Sequence, residues 1–338
     1  MAKKLLVTGA SGFIGTHCIV ELLNNGYQVK GTLRNLNRAE QIRDVLIKHT
    51  KKADSIEFTQ AELTDALSWE EAMNGCSGVL HIASPVPVVQ PKNADEIIIT
   101  AREGALNVLR AAKKMGVSRV VMTSSVSAVW GKGREGSRVY SESDWTYTDD
   151  PDQSPYSLSK TFAEKAAWEF VDEHGTPELV VINPSFVFGP ALESDYGSSL
   201  EILYRILKGK YPMVPKLGFE IVDVRDVAAL HRLAYESPKA VGRRFLCSSG
   251  FRWLKEMSIF LRDNFPDYRD KISVKVMPNF LLKIIAIFDR SVAGFLPDLE
   301  IKKEMDISPA REVLGWSPRS PEESMKSGAR SLIHLGIV

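Results

Sequence analysis

KLLVTGASGFIGTHCIVELLNNG, residues 4–26, decides the fold. A short apolar run ends at Thr8 and Gly9, and from Phe13 apolar residues recur at helical spacing up to the C-cap signal Gly26. Strand, glycine turn and helix follow one another without a spacer. Gly9, Gly12 and Gly15 are spaced GxxGxxG, not the GxGxxG of the standard dinucleotide fingerprint. Their physical duties are the same. One glycine permits the tight turn, one lets a pyrophosphate approach the backbone, and Gly15 lets the helix close on the strand. Free N–H groups at the helix start, around Ser11, Gly12, Phe13 and Ile14, face that phosphate. Three glycines could also serve a turn and nothing more. Their place between a clean strand and a clean helix favours dinucleotide binding.

Outward from this unit, strand and helix signals alternate. YQVKGTL (27–33) reads as a strand and RAEQIRDVLIKHTK (38–51) as a helix. SIEFTQ (55–60) and SGVLHIA (77–83) are strands around a short helix at SWEEAM. IIITAREGALNVLRAAKKMG (97–116) is a long helix, RVVMTSS (119–125) a buried strand, and ELVVIN (178–183) a sixth strand. Nearly continuous apolar strands alternating with helices predict an α/β fold, a Rossmann-type doubly wound parallel sheet. Past Pro184 the rhythm becomes irregular and prolines accumulate, which predicts a smaller C-terminal substrate lobe. The expected division is a nucleotide-binding domain over 1–184, joined by later segments around 219–248, and a mainly substrate-binding lobe over 185–338. WGKGREGSRVYSESDW (130–145) has no pattern of its own and reads as a loop beside the site.

The 338 residues carry a formal net charge of +1, with 44% hydrophobic and 25% charged residues. That balance is globular and leaves no broad basic footprint for nucleic acid. Cys18, Cys76 and Cys247 are far apart, so no zinc spacing exists and no metal is expected. Sparse, odd cysteines fit a reducing compartment, and a cytoplasmic location is expected. The most apolar segment, 280–296, is interrupted by Lys283, Asp289 and Arg290. A buried or lid-like amphipathic helix is expected there, not a membrane span.

GTLRNLNR closes the second strand with Arg34 and Arg38 and no acid. An Asp or Glu there would accept from the ribose 2′-OH of NAD, whereas arginine meets the 2′-phosphate of NADP. NADP(H) is therefore the expected cofactor. Arg34 follows the strand directly; Arg38 is equally compatible with a solvated surface. The second chemical signal is PYSLSKTFAEKAAWEF (155–170), a helix start with Ser154 as N-cap and Pro155 at N1. Tyr156 and Lys160 stand four apart, so they share one helix face with Cβ atoms roughly 6 Å apart. An ammonium that close favours phenolate and lowers a tyrosine from its usual value near 10 by roughly 1–3 units. The plain alternative is a packed tyrosine beside an exposed lysine. The glycine turn upstream and the TSS strand end favour catalysis.

With VTGASGFIG, EGALNVLRAA, RVVMTSS, YSLSK, INPSFVFGP, IVDVRDVA and SPAREVLGW in this order, the chain resembles an extended short-chain dehydrogenase/reductase over nearly its whole length. Within that superfamily it is similar to the dihydroflavonol-reductase-like branch. The resemblance implies a catalytic set of Ser125, Tyr156 and Lys160. It places Ala83 where the fourth strand meets the cofactor, and Pro184 and Val187 beside the nicotinamide. Glu62, with Leu63 next to it, falls at the adenine, where the family usually has Asp. The implied substrate pocket is lined by Pro85, Ser125, Trp130, Tyr156 and Tyr196. Plant dihydroflavonol reductases have a polar residue, often Asn, at the position of Trp130. A smaller or apolar aldehyde or ketone is therefore expected in place of a flavonoid. The family often dimerises through the helices at 97–115 and 155–174, and monomers also occur.

The implied reaction is carbonyl reduction by NADPH. Tyr156 is the expected general acid, Lys160 lowers its pKa and holds the nicotinamide ribose, and Ser125 hydrogen-bonds the carbonyl oxygen. Two other readings stay open. A NAD-dependent nucleotide-sugar epimerase or dehydratase of the same superfamily is disfavoured by Arg34. A non-catalytic NADP-binding sensor is disfavoured by the retained Tyr/Lys pair. The expected partner is a small-molecule carbonyl substrate, with neither nucleic acid nor membrane.

Overall fold

The computed structural model describes residues 3–85, 94–130, 136–150, 153–288 and 294–338. The first half alternates as its apolar periods dictate: β1 (Lys4–Val7), α1 (Phe13–Asn24), β2 (Gln28–Leu33), α2 (Ala39–Ile47), β3 (Glu57–Gln60), α3 (Ala66–Met73), β4 (Gly78–His81), α4 (Ala94–Lys114) and β5 (Arg119–Thr123). After β6 (Arg138–Tyr140) come α5 (Pro155–His174), β7 (Glu178–Pro184) and β8 (Phe186–Phe188). The remainder is α6 (Glu201–Leu207), β9 (Gly218–Asp223), α7 (Val224–Glu236), β10 (Arg243–Cys247), β11 (Gly250–Trp253), α8 (Leu254–Asn264), α9 (Asn279–Phe288), β12 (Lys303–Met305) and helices Ser308–Leu314 and Pro321–His334.

Seven strands form one parallel sheet in the order β10-β7-β5-β4-β1-β2-β3. Side chains alternate across a strand, so β1 sends Leu5 and Val7 to one core and Leu6 to another. The first core is completed by Cys18, Ile19 and Leu22 of α1 and by Val227 and Leu230 of α7. The second is completed by Trp69 of α3, Val108 and Leu109 of α4, and Ala163 and Ala167 of α5. Both faces are covered, which is why the strands read as unbroken apolar runs. The sheet's edge strand β10 comes late in the chain and pairs with β7, Leu246 opposite Asn183 and Arg244 opposite Val181.

A three-stranded sheet, β11-β9-β8, carries the C-terminal lobe. Its core joins Phe188, Leu203, Ile221, Met257 and Leu332, and Phe13 and Tyr196 pack against it. Phe13 touches the first core of the parallel sheet as well.

One expectation needs correction. The 130–145 stretch is not structureless, because β6 pairs in parallel with β12, Arg138 opposite Lys303 and Tyr140 opposite Met305. A three-residue strand whose partner lies far along the chain has no local period to read. Residues 131–135 of that stretch lie outside the described residues. So do Asp289 and Arg290 of the apolar segment. Within that segment α9 buries Leu282 but leaves Phe280, Ile284 and Ile287 exposed. Among the described residues no helix is long and apolar enough to cross a membrane.

Candidate active site

Gly9 has φ +66, and a Cβ on it would come within 3.2 Å of Ala83 Cα. The glycine turn thus lies directly against the end of β4, where the sequence places Ala83. A Cβ on Gly15 would come 2.1 Å from the Gly9 carbonyl oxygen, so only glycine lets α1 close on the turn. Gly12 is the N-cap of α1 and supplies no side-chain cap. Its first N–H groups, at Phe13 and Ile14 beyond Ser11, therefore take no side-chain cap. Thr8 escaped the sequence reading. Its Oγ1 accepts from the Ile82 and Ala83 amides, both at 2.9 Å, and lies 3.0 Å from His81 Nδ1. With its lone pairs taken, the Thr8 hydroxyl donates to His81, tying β1 to β4 beside the turn.

At the end of β2, Arg34 is exposed. Arg38 Nη2 lies 3.5 Å from Glu193 Oε2, and Gln41 Nε2 donates to the same oxygen at 3.4 Å. Burial raises the Glu193 carboxyl, and Arg38 opposes the shift. The local sequence holds no acid, but the fold brings one from 155 positions away. Glu62 is exposed and accepts the Leu63 amide at 3.2 Å. Leu63 packs where a Cβ on Gly104 of α4 would meet it at 2.9 Å, and its carbonyl takes a hydrogen bond from Asn107 at 3.0 Å.

Ser154 caps α5 by accepting from the Ser157 amide at 3.1 Å, with Pro155 opening the helix. The first turn carries Tyr156, and Lys160 Nζ lies 5.8 Å from the Tyr156 ring centroid. Ser125, just past β5, caps the short turn Val126–Ala128, its Oγ accepting from the Ser127 amide at 3.1 Å. The Ser125 side chain also stands close enough to the Tyr156 phenol to act on it. Lys160 is 5% exposed. Burial lowers its pKa to about 8, opposed by the carboxylate of Glu164. Burial raises the Tyr156 phenol, opposed by Ser125. The expected lowering of Tyr156 by Lys160 is thus not seen, because desolvation disfavours phenolate and ammonium alike. Pro184 ends β7 and Val187 lies on β8, both buried.

The remaining pocket residues fall into separate clusters. The Trp130 ring meets Tyr140 edge-on at 6.5 Å, with Lys303 Nζ 5.2 Å from its centroid. The Tyr196 hydroxyl donates to Glu201 at 2.9 Å, and burial followed by that carboxylate pushes the phenol up to about 12. Pro85 is half-buried, just past Ala83.

The model of the NAD dependent epimerase/dehydratase family matches residues 5–247. Tetraketide alpha-pyrone reductase 1 of Arabidopsis thaliana is 37% identical over 270 residues, 78% of this chain and 81% of that protein. Cinnamoyl-CoA reductase 1 of Petunia hybrida is 37% identical over 272 residues, 79% of this chain and 78% of its own. The yeast methylglyoxal/isovaleraldehyde reductase, solved with NADPH, has a TM-score of 0.81 at 26% identity, covering 99% of this chain and 100% of its own. The family match spans all seven strands of the sheet, and the relatives keep their likeness over most of their own length. The chain belongs to the NAD dependent epimerase/dehydratase family, among the extended short-chain dehydrogenases/reductases.

Proposed function

We propose that the protein is an NADPH-dependent carbonyl reductase acting on a small or apolar aldehyde or ketone. One observation carries this reading: Ser125 stands close enough to act on the Tyr156 phenol, with Lys160 on the same helix face as Tyr156. NADPH, when bound, would supply the hydride for the carbonyl carbon. Tyr156 gives its proton to the carbonyl oxygen as general acid. A phenol raised by burial still holds that proton at neutral pH, which suits the reducing direction. Ser125 donates a hydrogen bond to the same oxygen as negative charge develops there. Lys160 offers three N–H donors to the nicotinamide ribose and offsets the negative charge that appears when Tyr156 gives up its proton. The glycine turn takes the pyrophosphate and Arg34 the 2′-phosphate. Ala83, Pro184 and Val187 line the nicotinamide side, and Glu62 with Leu63 the adenine side. Pro85, Trp130 and Tyr196 border the substrate.

In this reading residues 1–184, with segments around 219–248, hold the nucleotide, and 185–338 hold the substrate. Cys18, Cys76 and Cys247 are free and buried, consistent with a cytoplasmic protein. The relatives are named as reductases of a tetraketide pyrone, a cinnamoyl thioester and methylglyoxal, all carbonyl compounds.

The test is NADPH oxidation against a panel of aldehydes, diketones and flavanonols. Turnover should favour the compact or apolar carbonyls. Tyr156→Phe should retain NADPH affinity and lower kcat by about 10²–10⁴. Near-full activity in that variant would overturn the assignment of the acid. Protein that purifies with bound NAD and consumes no NADPH would instead indicate an epimerase.

A further inference from the structure

Behind Ser125 and Lys160 lies a buried polar cluster that the reaction does not touch directly. Glu164, one helical turn past Lys160, is fully buried, and its Oε1 lies 2.8 Å from Arg244 Nε on β10. Its Oε2 accepts from Asn183 Nδ2 at 2.8 Å, and the same amide nitrogen donates to the Ser125 carbonyl at 3.1 Å. Asn183 is wholly buried at the end of β7. The Arg244 guanidinium lies 3.8 Å from the Trp145 ring centroid and donates to the Asp144 carbonyl at 2.8 Å.

Stability alone gives a poor account of this cluster. A buried ion pair is often matched or bettered by apolar residues of the same volume. Asn183 Oδ1 and Arg244 Nη2 are also buried without a hydrogen-bond partner, and each leaves its desolvation uncompensated. What the cluster does achieve is placement. It fixes the backbone of Ser125 from behind, while the Ser127 amide occupies a lone pair of its Oγ.

We propose that Asn183 and Glu164 are positioning residues for carbonyl reduction, Asn183 holding the Ser125 backbone and Glu164 holding the positive charge of Lys160. This rests on the Ser125–Tyr156–Lys160 reading above. Among the described residues, the titratable groups that influence Lys160 or lie beside it are Tyr156 and Glu164 on its own helix and His81 on β4. Burial lowers His81 to about 3, so it is neutral at working pH. That leaves Glu164 as the group that sustains the ammonium.

The deciding measurement is NADPH affinity against pH, followed by nucleotide fluorescence, which needs no substrate. The wild type should lose affinity as pH rises through about 8. Glu164→Gln should lose it roughly one pH unit lower. Coincident curves would overturn the proposal. Should Arg244, left without its partner, unfold that variant, Glu164→Gln with Arg244→Met removes both charges and should show the same displacement. Asn183→Ala should lower kcat about 10–100-fold with NADPH affinity unchanged. An unchanged kcat, or an equal loss of NADPH affinity, would make Asn183 merely structural and overturn its role. If Tyr156→Phe keeps full turnover, the assignment of the acid fails, while the pH curve still reports on Glu164.

Discussion

Arg34 and Arg38 look alike in the sequence and differ in the fold. Arg34 is exposed at the end of β2, whereas the Arg38 guanidinium is shared with Glu193. Arg34→Ala should therefore erase most of a preference for NADPH over NADH. One charged contact is worth about 1.4 kcal/mol, or tenfold in kcat/KM. Arg38→Ala should change the ratio less. The check is kcat/KM for both cofactors below saturation, and equal values already in the wild type would sink the assignment. Much of the site was legible at this scale because its signals are local. The glycines lie in one turn, and Tyr156 and Lys160 are four apart on one helix. Glu193, the Thr8 link to β4 and the Asn183–Glu164 pair were not legible, since each depends on a contact between distant segments.

Secondary elements were legible in proportion to their length. α1, α4 and α5 declare themselves over several turns and by caps, and β1, β4, β5 and β7 by apolar runs. β6 and β12 have three residues each and exist only as a pair. Trp130 lies at their junction, packed with Val129, Tyr140, Leu246 and Met305. Its ring is thus a strut between this pair and the turn after Ser125, besides its proposed place at the substrate. Trp130→Asn should lower stability by about 1–2 kcal/mol, less than a fully buried tryptophan would cost. As a pocket residue it should also shift the kcat/KM ratio between small aldehydes and flavanonols by roughly tenfold, leaving NADPH affinity alone. A folded variant with an unchanged ratio would leave Trp130 as a strut only and return flavonoids to the substrate candidates.

Across the whole molecule, three buried histidines set the response to acid. Burial lowers His17 to about 4, His81 to about 3 and His231 to about 4. Below pH ~6.5 the unfolded chain binds protons that the folded chain refuses, so stability falls as pH falls. The loss is about 1.4 kcal/mol per histidine for each pH unit, until the folded pKa is reached. The unfolding midpoint in urea should drop steeply between about pH 7 and pH 5, and a flat midpoint over that range would contradict the burial of these rings. Strand order is the part of the architecture that no local pattern announces. β10 follows β8, α6, β9 and α7 in sequence yet closes the edge of the seven-stranded sheet. On the ribosome this has a consequence for timing. Until residue 247 has emerged, β7 lacks its outer neighbour and Glu164 has no arginine to meet it. The nascent chain can therefore display Ser125, Tyr156 and Lys160 before it owns the arginine that pairs with Glu164, and the proposed site is completed only by a strand made later in translation.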